Sequence, residues 1–227
     1  MKSTEITTKS AETRKRILEA ALTCFRQRGF EAATMREIAV EAGMSVGAAY
    51  YYFDSKEAIV MAFYERSQRE IEPLTAKALA SSRDIEERLR AVVQVKFDCF
   101  APHRALLGAL SAHTDPAHPL SPFSQDTAAI READLAFFRQ AVEGSKTHAP
   151  EDLKEHLPRL LWLYQMGLIL FWVYDQSARQ AKTRLLFDKS LAIVVRLIRL
   201  SGLPLMRPVR RIVTDLLETI YGGEAQG

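Results

Sequence analysis

The segment from residue 34 to 53, TMREIAVEAGMSVGAAYYYF, constrains the fold of this chain most strongly. Thr34 can cap a helix through its hydroxyl while Glu37 returns a hydrogen bond to the capped amide, so the pair predicts a helix start. Gly43 supplies the left-handed residue that commonly ends a helix. Ser45 can then cap the next helix. The segment therefore predicts two short helices joined through a turn of about three residues.

Apolar residues recur along both predicted helices at the spacing of one helical face. On the second helix, Val46, Ala49, Tyr50 and Phe53 are predicted to face inward, with Tyr50 at the edge of that face. The outward face carries small residues, which allow close approach, and phenols, which can reach phosphate oxygens. Its members are Ser45, Gly47, Ala48, Tyr51 and Tyr52. This pattern is typical of a helix that lies in the DNA major groove.

A third helix is predicted to start at a cap formed by Asp54 or Ser55, with Lys56 in its first turn beside amides that attract a phosphate. Arg36 is expected to pair with a guanine edge or, alternatively, to contact a phosphate. Because the reading helix lacks Arg, Asn and Gln, base reading should depend largely on water, DNA shape and Arg36. The predicted DNA contacts are Thr34, Arg36, Ser45, Val46, Gly47, Ala48, Tyr50, Tyr51, Tyr52 and Lys56.

Residues 12 to 64 resemble the DNA-binding domain of the TetR family of bacterial transcriptional regulators. The resemblance rests on TRKRILEAALTCFRQRGFEAAT, then TMREIAVEAGMS, and then GAAYYYFDSKEAI. It implies an all-α protein with an N-terminal three-helix DNA-binding domain over residues 10–70. A larger helical domain for effector binding and dimerisation would follow over residues 71–222. A helix-turn-helix used only for packing is the alternative.

Composition agrees with this interpretation without requiring it. The net charge is only +3, but residues 1 to 28 carry seven basic and three acidic side chains, so the predicted DNA-binding end is basic. For Arg14 to Arg16, a solvated helix face is an equal alternative. Two cysteines and a polar start without a signal peptide favour a reducing cytoplasm.

Two later segments are predicted to build the dimer. Residues 157–175 are apolar on nearly every side of a helix, so that helix must be covered all round. Its apolar run over residues 160–174 is shorter than the ~20 residues that a bilayer span needs, and no membrane is expected. The helix over residues 181–201 has an apolar side formed by Leu185, Leu186, Ala192, Ile193, Leu197 and Leu200. Two such helices per subunit predict a homodimer on a palindromic operator, and the alternative is a monomer core.

The resemblance also implies a repressor that a small molecule releases from DNA through the helix predicted over residues 55–72. Large apolar side chains with a few polar groups suit a largely hydrophobic effector, although core packing explains each of them equally well. Gln165 is the most informative, because a buried amide needs a partner. The candidates are Phe97, Phe100, His103, Leu107, Phe123, Trp162, Gln165, Met166 and Trp172.

Other functions remain open at this point. The regulator could be gated by a protein partner or not gated at all. His113, Asp115 and His118 could bind a metal in an enzyme, since imidazole and carboxylate are suitable ligands. The chain has no HExxH, GxSxG or phosphate-loop motif, so no catalytic residue, resident metal or cofactor is predicted.

Several boundaries are predicted as well. Pro73 should kink or stop the helix that contains it, and residues 114–122, with three prolines, should form a loop. Continuous helices are predicted over residues 123–144 and 151–177, and a loose tail over residues 222–227.

Overall fold

The computed structural model describes the backbone of residues 2–221 and the side chains of residues 9–219. Within this part the chain is helical and has no strand, so the predicted all-α class is confirmed. The tail predicted over residues 222–227 lies outside the described residues. The helices are α1 (Lys2–Arg28), α2 (Met35–Glu41), α3 (Val46–Tyr52), α4 (Lys56–Ala80), α5 (Ile85–Phe100), α6 (Arg104–Leu110), α7 (Ala128–Glu143), α8 (Glu151–Lys154), α9 (Leu157–Tyr174), α10 (Ala181–Ser201) and α11 (Arg207–Tyr221).

The chain forms two compact units. The first comprises residues 1–70 and 100–131, and the second comprises residues 71–99 and 132–227. Residues 100–131, which the sequence assigned to the second domain, therefore pack with the N-terminal unit. Each compact unit is therefore formed by two separate stretches of the chain rather than by one contiguous segment.

The first unit is built on α1. This helix packs against α2 and α6, and α2 packs against α3. Ile17, Ala21 and Phe25 recur on one face of α1 at helical spacing, and all three are buried. Cys24 is buried beside them as a free thiol.

The second unit contains a buried guanidinium. Arg88 is only 7% exposed. It donates hydrogen bonds to backbone carbonyls at the ends of α4 and α7, those of Leu79, Ser82, Gln140 and Ala141. Carbonyls at helix C-termini lack partners within their own helix and carry partial negative charge, so they compensate the buried cation. A Cβ added at Gly144 would lie 2.2 Å from Nη2 of Arg88, which explains the glycine there.

A second buried charge is paired with a carboxylate. Lys96 on α5 and Asp134 on α7 are both buried, and Nζ lies 2.7 Å from Oδ1 and 2.9 Å from Oδ2. Such a pair requires both partners, because removal of either leaves an uncompensated buried charge.

Of the two outcomes predicted at Pro73, the stop is wrong, since α4 continues through it to Ala80. Proline removes one hydrogen bond to the carbonyl four residues earlier, here that of Arg69. Arg69 and Pro73 are both exposed, so water can reach that side of the helix.

Two other helices differ from their predicted extents. α7 starts at Ala128 rather than at residue 123, because the hydroxyls of Ser124 and Thr127 bond to nearby backbone groups and stabilise turns instead. The helix predicted over residues 151–177 is divided into α8 and α9. Pro158 lies in the first turn of α9, where its missing amide proton costs nothing and favours a new start.

Among the described residues, α9 alone is long and apolar enough to cross a membrane by length and composition. Its Leu161, Leu168 and Trp172 are buried in the second unit, and a core helix meets the same two criteria. The helix ends at Asp175, whose carboxylate accepts hydrogen bonds from Ser177 and Thr183. These bonds hold the pKa of Asp175 well below its usual range.

Candidate nucleic-acid interface

The helix-turn-helix is held by the caps that the sequence predicted. The amide of Glu37 donates to Thr34 Oγ1 at 3.3 Å, and the Glu37 carboxylate accepts from the Thr34 amide at 3.0 Å. Gly43 follows α2 with φ of +65°. The amide of Ala48 donates to Ser45 Oγ at 3.2 Å. Each helix of the motif therefore begins at a side chain that satisfies an otherwise unpaired backbone amide.

The Glu37 carboxylate also connects α2 to the end of α1, because Arg28 donates to it at 2.6 Å. Hydrogen bonds from the Thr34 amide and hydroxyl, followed by the charge of Arg28, hold the pKa of Glu37 below its usual value. Hydrogen bonds to a carboxylate favour its charged form. The negative charge thus lies at the N-terminus of α2, where it is favourable.

The inward face of α3 is smaller than predicted. Ala49 and Phe53 are buried, whereas Tyr50, predicted at the edge of the inward face, is 50% exposed. Within this helix of seven residues only Ala49 is buried, and Phe53 forms its C-terminal cap. Tyr51 is 83% exposed, and the ring of the partly buried Tyr52 meets its edge at 5.2 Å.

Two residues of the motif have no role in the packing of the described chain. A Cβ added at Gly47 would meet no atom within 4 Å, so packing does not require a glycine there. Arg36 is exposed on α2, and among the described residues its guanidinium makes no hydrogen bond or ion pair. Thr34 and Ser45 are exposed caps, whereas Val46 and Ala48 are partly exposed. The absence of a side chain at Gly47 and the unengaged cation of Arg36 each suit contact with an external partner.

Lys56 makes contacts that the sequence did not indicate. Its ammonium donates to the carbonyls of Phe30 at 2.7 Å and Glu31 at 3.1 Å, and it lies 4.7 Å from the centre of the Phe30 ring. An ammonium has three donors, so one remains for a phosphate. Ser55, rather than Asp54, caps this helix, since its hydroxyl accepts from the Ala58 amide at 3.0 Å.

Arg14 is a further basic residue near the motif. Its guanidinium lies 4.6 Å from the centre of the Phe53 ring, just after α3, while the side chain remains exposed. The charge pattern of α1 indicated a basic region but not this contact, because the two residues are far apart in the sequence.

The effector candidates are divided between the two units. Phe100, His103, Leu107 and Phe123 belong to the first unit, and Phe97, Trp162, Gln165, Met166 and Trp172 belong to the second. In the first unit, the rings of Phe100 and His103 lie 6.0 and 4.8 Å from that of Phe63. Burial, followed by the charge of Arg66, lowers the pKa of His103. Phe123 is exposed in the loop before α7.

The second unit holds the more enclosed candidates. The Phe97 ring lies 5.1 Å from that of Trp172, and Trp162 is also buried, while Met166 is partly buried. Gln165 is 1% exposed, and its amide oxygen has no hydrogen-bond partner. An unpaired buried carbonyl is costly, so this oxygen is a candidate acceptor for a ligand donor.

The three residues considered for metal binding are engaged in other contacts. The Asp115 carboxylate accepts from the Ala117 amide at 2.9 Å, and the rings of His113 and His118 stack on each other. In the described part of the chain, no group of three or more histidine, cysteine or acidic side chains is arranged to hold a metal ion.

Comparison with known proteins identifies the family. Residues 17–63 match the family model described as bacterial regulatory proteins, tetR family. Residues 88–216, more than half of the chain, match the model described as tetracyclin repressor-like, C-terminal domain. The chain belongs to the TetR family. It is a TetR-family transcriptional regulator with a DNA-binding helix-turn-helix.

Curated TetR-family relatives extend the comparison. The chain is 31% identical over 175 residues to the regulator BetI of Brucella anthropi, which covers 76% of this chain and 73% of BetI. It is 38% identical over 87 residues to the activator FasR of Mycolicibacterium smegmatis, over 38% of this chain and 40% of FasR. It is 33% identical over 94 residues to the repressor KstR2 of Rhodococcus jostii, over 41% of this chain and 46% of KstR2. The chain thus spans less than half of the length of several curated relatives that it matches.

Solved TetR-family structures show the same fold. A regulator from Nitrosomonas europaea superposes with a TM-score of 0.61 at 18% identity, over 79% of this chain and 96% of that one.

Proposed function

We propose that this TetR-family regulator binds a palindromic operator as a homodimer and represses transcription until a small, largely hydrophobic ligand releases it. The observation that carries the proposal is the apolar surface that α9 and α10 leave exposed in one subunit. Large exposed apolar patches usually mark interaction sites. Its members are Leu170, Phe171 and Tyr174 on α9 and Leu185, Leu186, Ile193, Leu197 and Leu200 on α10.

Both helices already use another face for the core of the second unit. On α10, Phe187, Leu191 and Val195 are buried, whereas Ile193 and Leu197 are 56% and 54% exposed. The apolar side predicted from the sequence is therefore the uncovered one. A second copy would cover both helices at once in a four-helix arrangement, which is a common dimer interface.

Gly167 supports close contact by a second copy. It lies in the middle of α9, where a glycine costs helix stability, and a Cβ there would meet nothing within 4 Å. An open groove of about 760 Å³ passes beside it, lined by Leu170, Phe171 and Tyr174 and by the cationic Lys182. A partner helix approaching this groove would explain why a side chain is absent at residue 167.

On DNA, we assign positioning and reading to different residues. Thr34, Tyr51, Tyr52 and Lys56 contact phosphates, and the half-exposed Tyr50 can join them. Arg36 reads a guanine edge. Val46 and Ala48 offer methyl groups to thymine, and Ser45 and Gly47 allow α3 to approach closely.

Release by a ligand requires that the ligand bind the DNA-incompetent form more tightly, typically by about 1–3 kcal/mol of coupling. The apolar core face of α9 and the unpaired oxygen of Gln165 support a hydrophobic ligand with a hydrogen-bond donor. Relatives include one named an activator and one named a repressor. Repression is the simpler proposal, because a bound dimer needs no further surface to block transcription.

Selection of bound fragments from the source genome tests the operator. We expect two similar half-sites whose centres are about 34–36 Å apart, or a multiple of that distance. A site with a single half-site would contradict the dimer. Neighbouring genes would also indicate the chemistry of the effector.

Two variants then separate reading from positioning. Arg36→Ala should relax sequence preference at one base pair by about 1–3 kcal/mol, whereas Lys56→Ala should weaken all sites and reduce the salt slope by about one phosphate. Binding isotherms over a range of salt measure both. An unchanged slope for Lys56→Ala would show that Lys56 only stabilises the protein. Thermal-shift screening with apolar compounds, followed by a DNA-release assay, tests for a small-molecule effector. The same screen with metals and with protein partners tests the alternative functions.

A further inference from the structure

The helix α11 leaves a further apolar surface uncovered, apart from the one on α9 and α10. Val209, Ile212 and Leu216 recur at spacings of three and four residues, so they lie on one side of the helix. All three are exposed, and Ile212 is 69% exposed. This row, the α11 stripe, is therefore not covered by the described part of its own subunit.

Another side of α11 is fixed to the second unit. Thr214 and Leu217 are buried. Arg210 donates to the Asp152 carboxylate on α8 at 2.9 and 3.0 Å and to the carbonyl of Ser201, the last residue of α10. The α11 stripe thus belongs to a helix that its own subunit already holds in place.

Exposed apolar side chains continue along the chain from α10 to α11. Leu197 and Leu200 of α10 are exposed, and so are Leu203 and Leu205 in the connection over residues 202–206. Because this connection is short, a second copy that covers α10 is also the nearest partner available to α11.

The charges of α11 run against the helix dipole. Arg207 and Arg211 lie in its N-terminal half, and Asp215 and Glu218 lie in its C-terminal half. A helix dipole favours acidic residues at the N-terminus and basic residues at the C-terminus. All four side chains are exposed, and among the described residues none of them forms an ion pair. The stability of an isolated helix therefore does not explain this order of charges.

A second α11 that runs in the opposite direction fits both the stripe and the charges. If a twofold axis passes beside Ile212, this residue meets its own copy and Val209 faces the partner's Leu216. Arg211 then lies opposite the partner's Asp215. Each contact occurs twice, as in any isologous interface. Opposite charges thus meet beside an apolar seam, an arrangement that sets the orientation of paired helices.

We propose that α11 pairs in an antiparallel orientation with α11 of the second copy in the homodimer. This inference rests on the proposed homodimer and adds to the α9–α10 surface a contact whose direction is set by charge. The α11 pair is small, so it strengthens a dimer that the larger surface brings together, because the two helices then meet at high effective concentration.

Sedimentation of the full chain over a range of protein concentrations measures the dimer dissociation constant. Ile212→Glu should raise this constant about a hundredfold, because both copies of residue 212 lose an apolar contact in one dimer. Val40→Glu, at a comparably exposed apolar residue of α2, is the matched control and should leave the constant unchanged.

Charge reversal tests the antiparallel orientation. Arg211→Glu or Asp215→Arg alone should raise the dimer dissociation constant about tenfold, since each variant places like charges opposite each other twice. An equimolar mixture of the two variants should recover the wild-type constant, because opposite charges then meet at both positions. Repulsion within a single α11 would persist in the mixture, so recovery identifies a contact between two copies.

A mixture that dissociates as readily as either variant alone would overturn the proposal, and so would an unchanged constant for Ile212→Glu. A wild-type tetramer that Ile212→Glu converts to a dimer would overturn it as well, because α11 would then join two dimers. A wild type that is monomeric at all concentrations would contradict the proposed homodimer itself, whereas a stable dimer that is insensitive to all three variants contradicts this inference alone.

Discussion

In α2 and α3 the inward apolar side chains are covered within one subunit, whereas α9 and α10 leave a broad apolar surface uncovered. Ile38, Ala39 and Ala49 are completely buried in the motif. On α10, by contrast, Ile193 and Leu197 remain more than half exposed although other residues of the same helix are in the core. The packing of the motif is complete in a single chain, whereas the α9–α10 surface would be covered only in the proposed dimer. The side chains that α2 and α3 leave exposed are instead suited to contact with DNA.

The largest effect is expected at the α9–α10 surface, where the proposed partner subunit would bind. The double substitution Ile193→Glu and Leu197→Glu should raise the dimer dissociation constant about a thousandfold, since unpaired charges buried in an interface cost about 3–5 kcal/mol. Analytical ultracentrifugation measures this. Leu74→Glu, at an exposed leucine on α4, is the matched control and should leave the dimer intact. A double variant that stays dimeric would remove the contrast between the two regions.

The interior of the second unit, unlike its outer surface, should be complete without a partner. Gly144→Ala would force the guanidinium of Arg88 away from the Gln140 carbonyl, and we expect a loss of about 2–3 kcal/mol in unfolding free energy. Gly202→Ala is the control, because its Cβ would meet only the Arg199 carbonyl at 3.7 Å. Urea unfolding at fixed protein concentration compares them, and equal stability of both variants would refute the requirement for glycine.

A smaller effect is expected in the motif, where stability comes from local caps. Ser45→Ala removes the acceptor for the Ala48 amide and should cost about 1 kcal/mol. Ser45→Asp keeps an acceptor and should retain most of the stability. Thermal unfolding distinguishes the two variants, and an equal loss in both would mean that the cap does not hold α3.

The smallest effect should appear in acid. Because the folded-state pKa of Glu37 is lowered by its bonds to Thr34, its contribution is present above the ordinary glutamate pKa of about 4.3 and is lost as pH falls through the lower folded value. The unfolding free energy of Glu37→Gln should therefore decrease less than that of the wild type on acidification below about pH 4. Glu12→Gln, at an exposed glutamate of α1, should decrease as the wild type does. If the unfolding free energies of Glu37→Gln and Glu12→Gln decreased equally on acidification, Glu37 would not contribute to the acid sensitivity of the fold.

The sequence predicted features that depend on residues three or four positions apart. The capping pair Thr34 and Glu37, the left-handed Gly43 and the cap at Ser45 all lie where the pattern indicated. Such bonds form within one turn of chain, so neighbouring residue types are sufficient to specify them. The same segment also supplied part of the resemblance to the TetR family.

Rules based on residue type failed where the local environment decided the outcome. Pro73 was expected to kink or stop a helix; it does not stop α4, because its exposed position allows water to replace the lost bond. Phe123 was expected within a helix, but hydroxyls of nearby residues stabilise turns instead. In both cases the prediction followed from the residue type, but the sequence pattern does not specify the surroundings of that residue in the fold.

By itself, the sequence determined the all-α class, the helix-turn-helix and its caps, because these follow from helical periodicity and short-range hydrogen bonds. Only the tertiary structure decided that residues 100–131 join the N-terminal unit, that Lys56 bonds to the turn at Phe30, and that His113 stacks on His118. It also decided which apolar side of α10 is covered. These features depend on how helices distant in sequence pack together, and periodicity cannot distinguish a face turned to the core from one awaiting a partner.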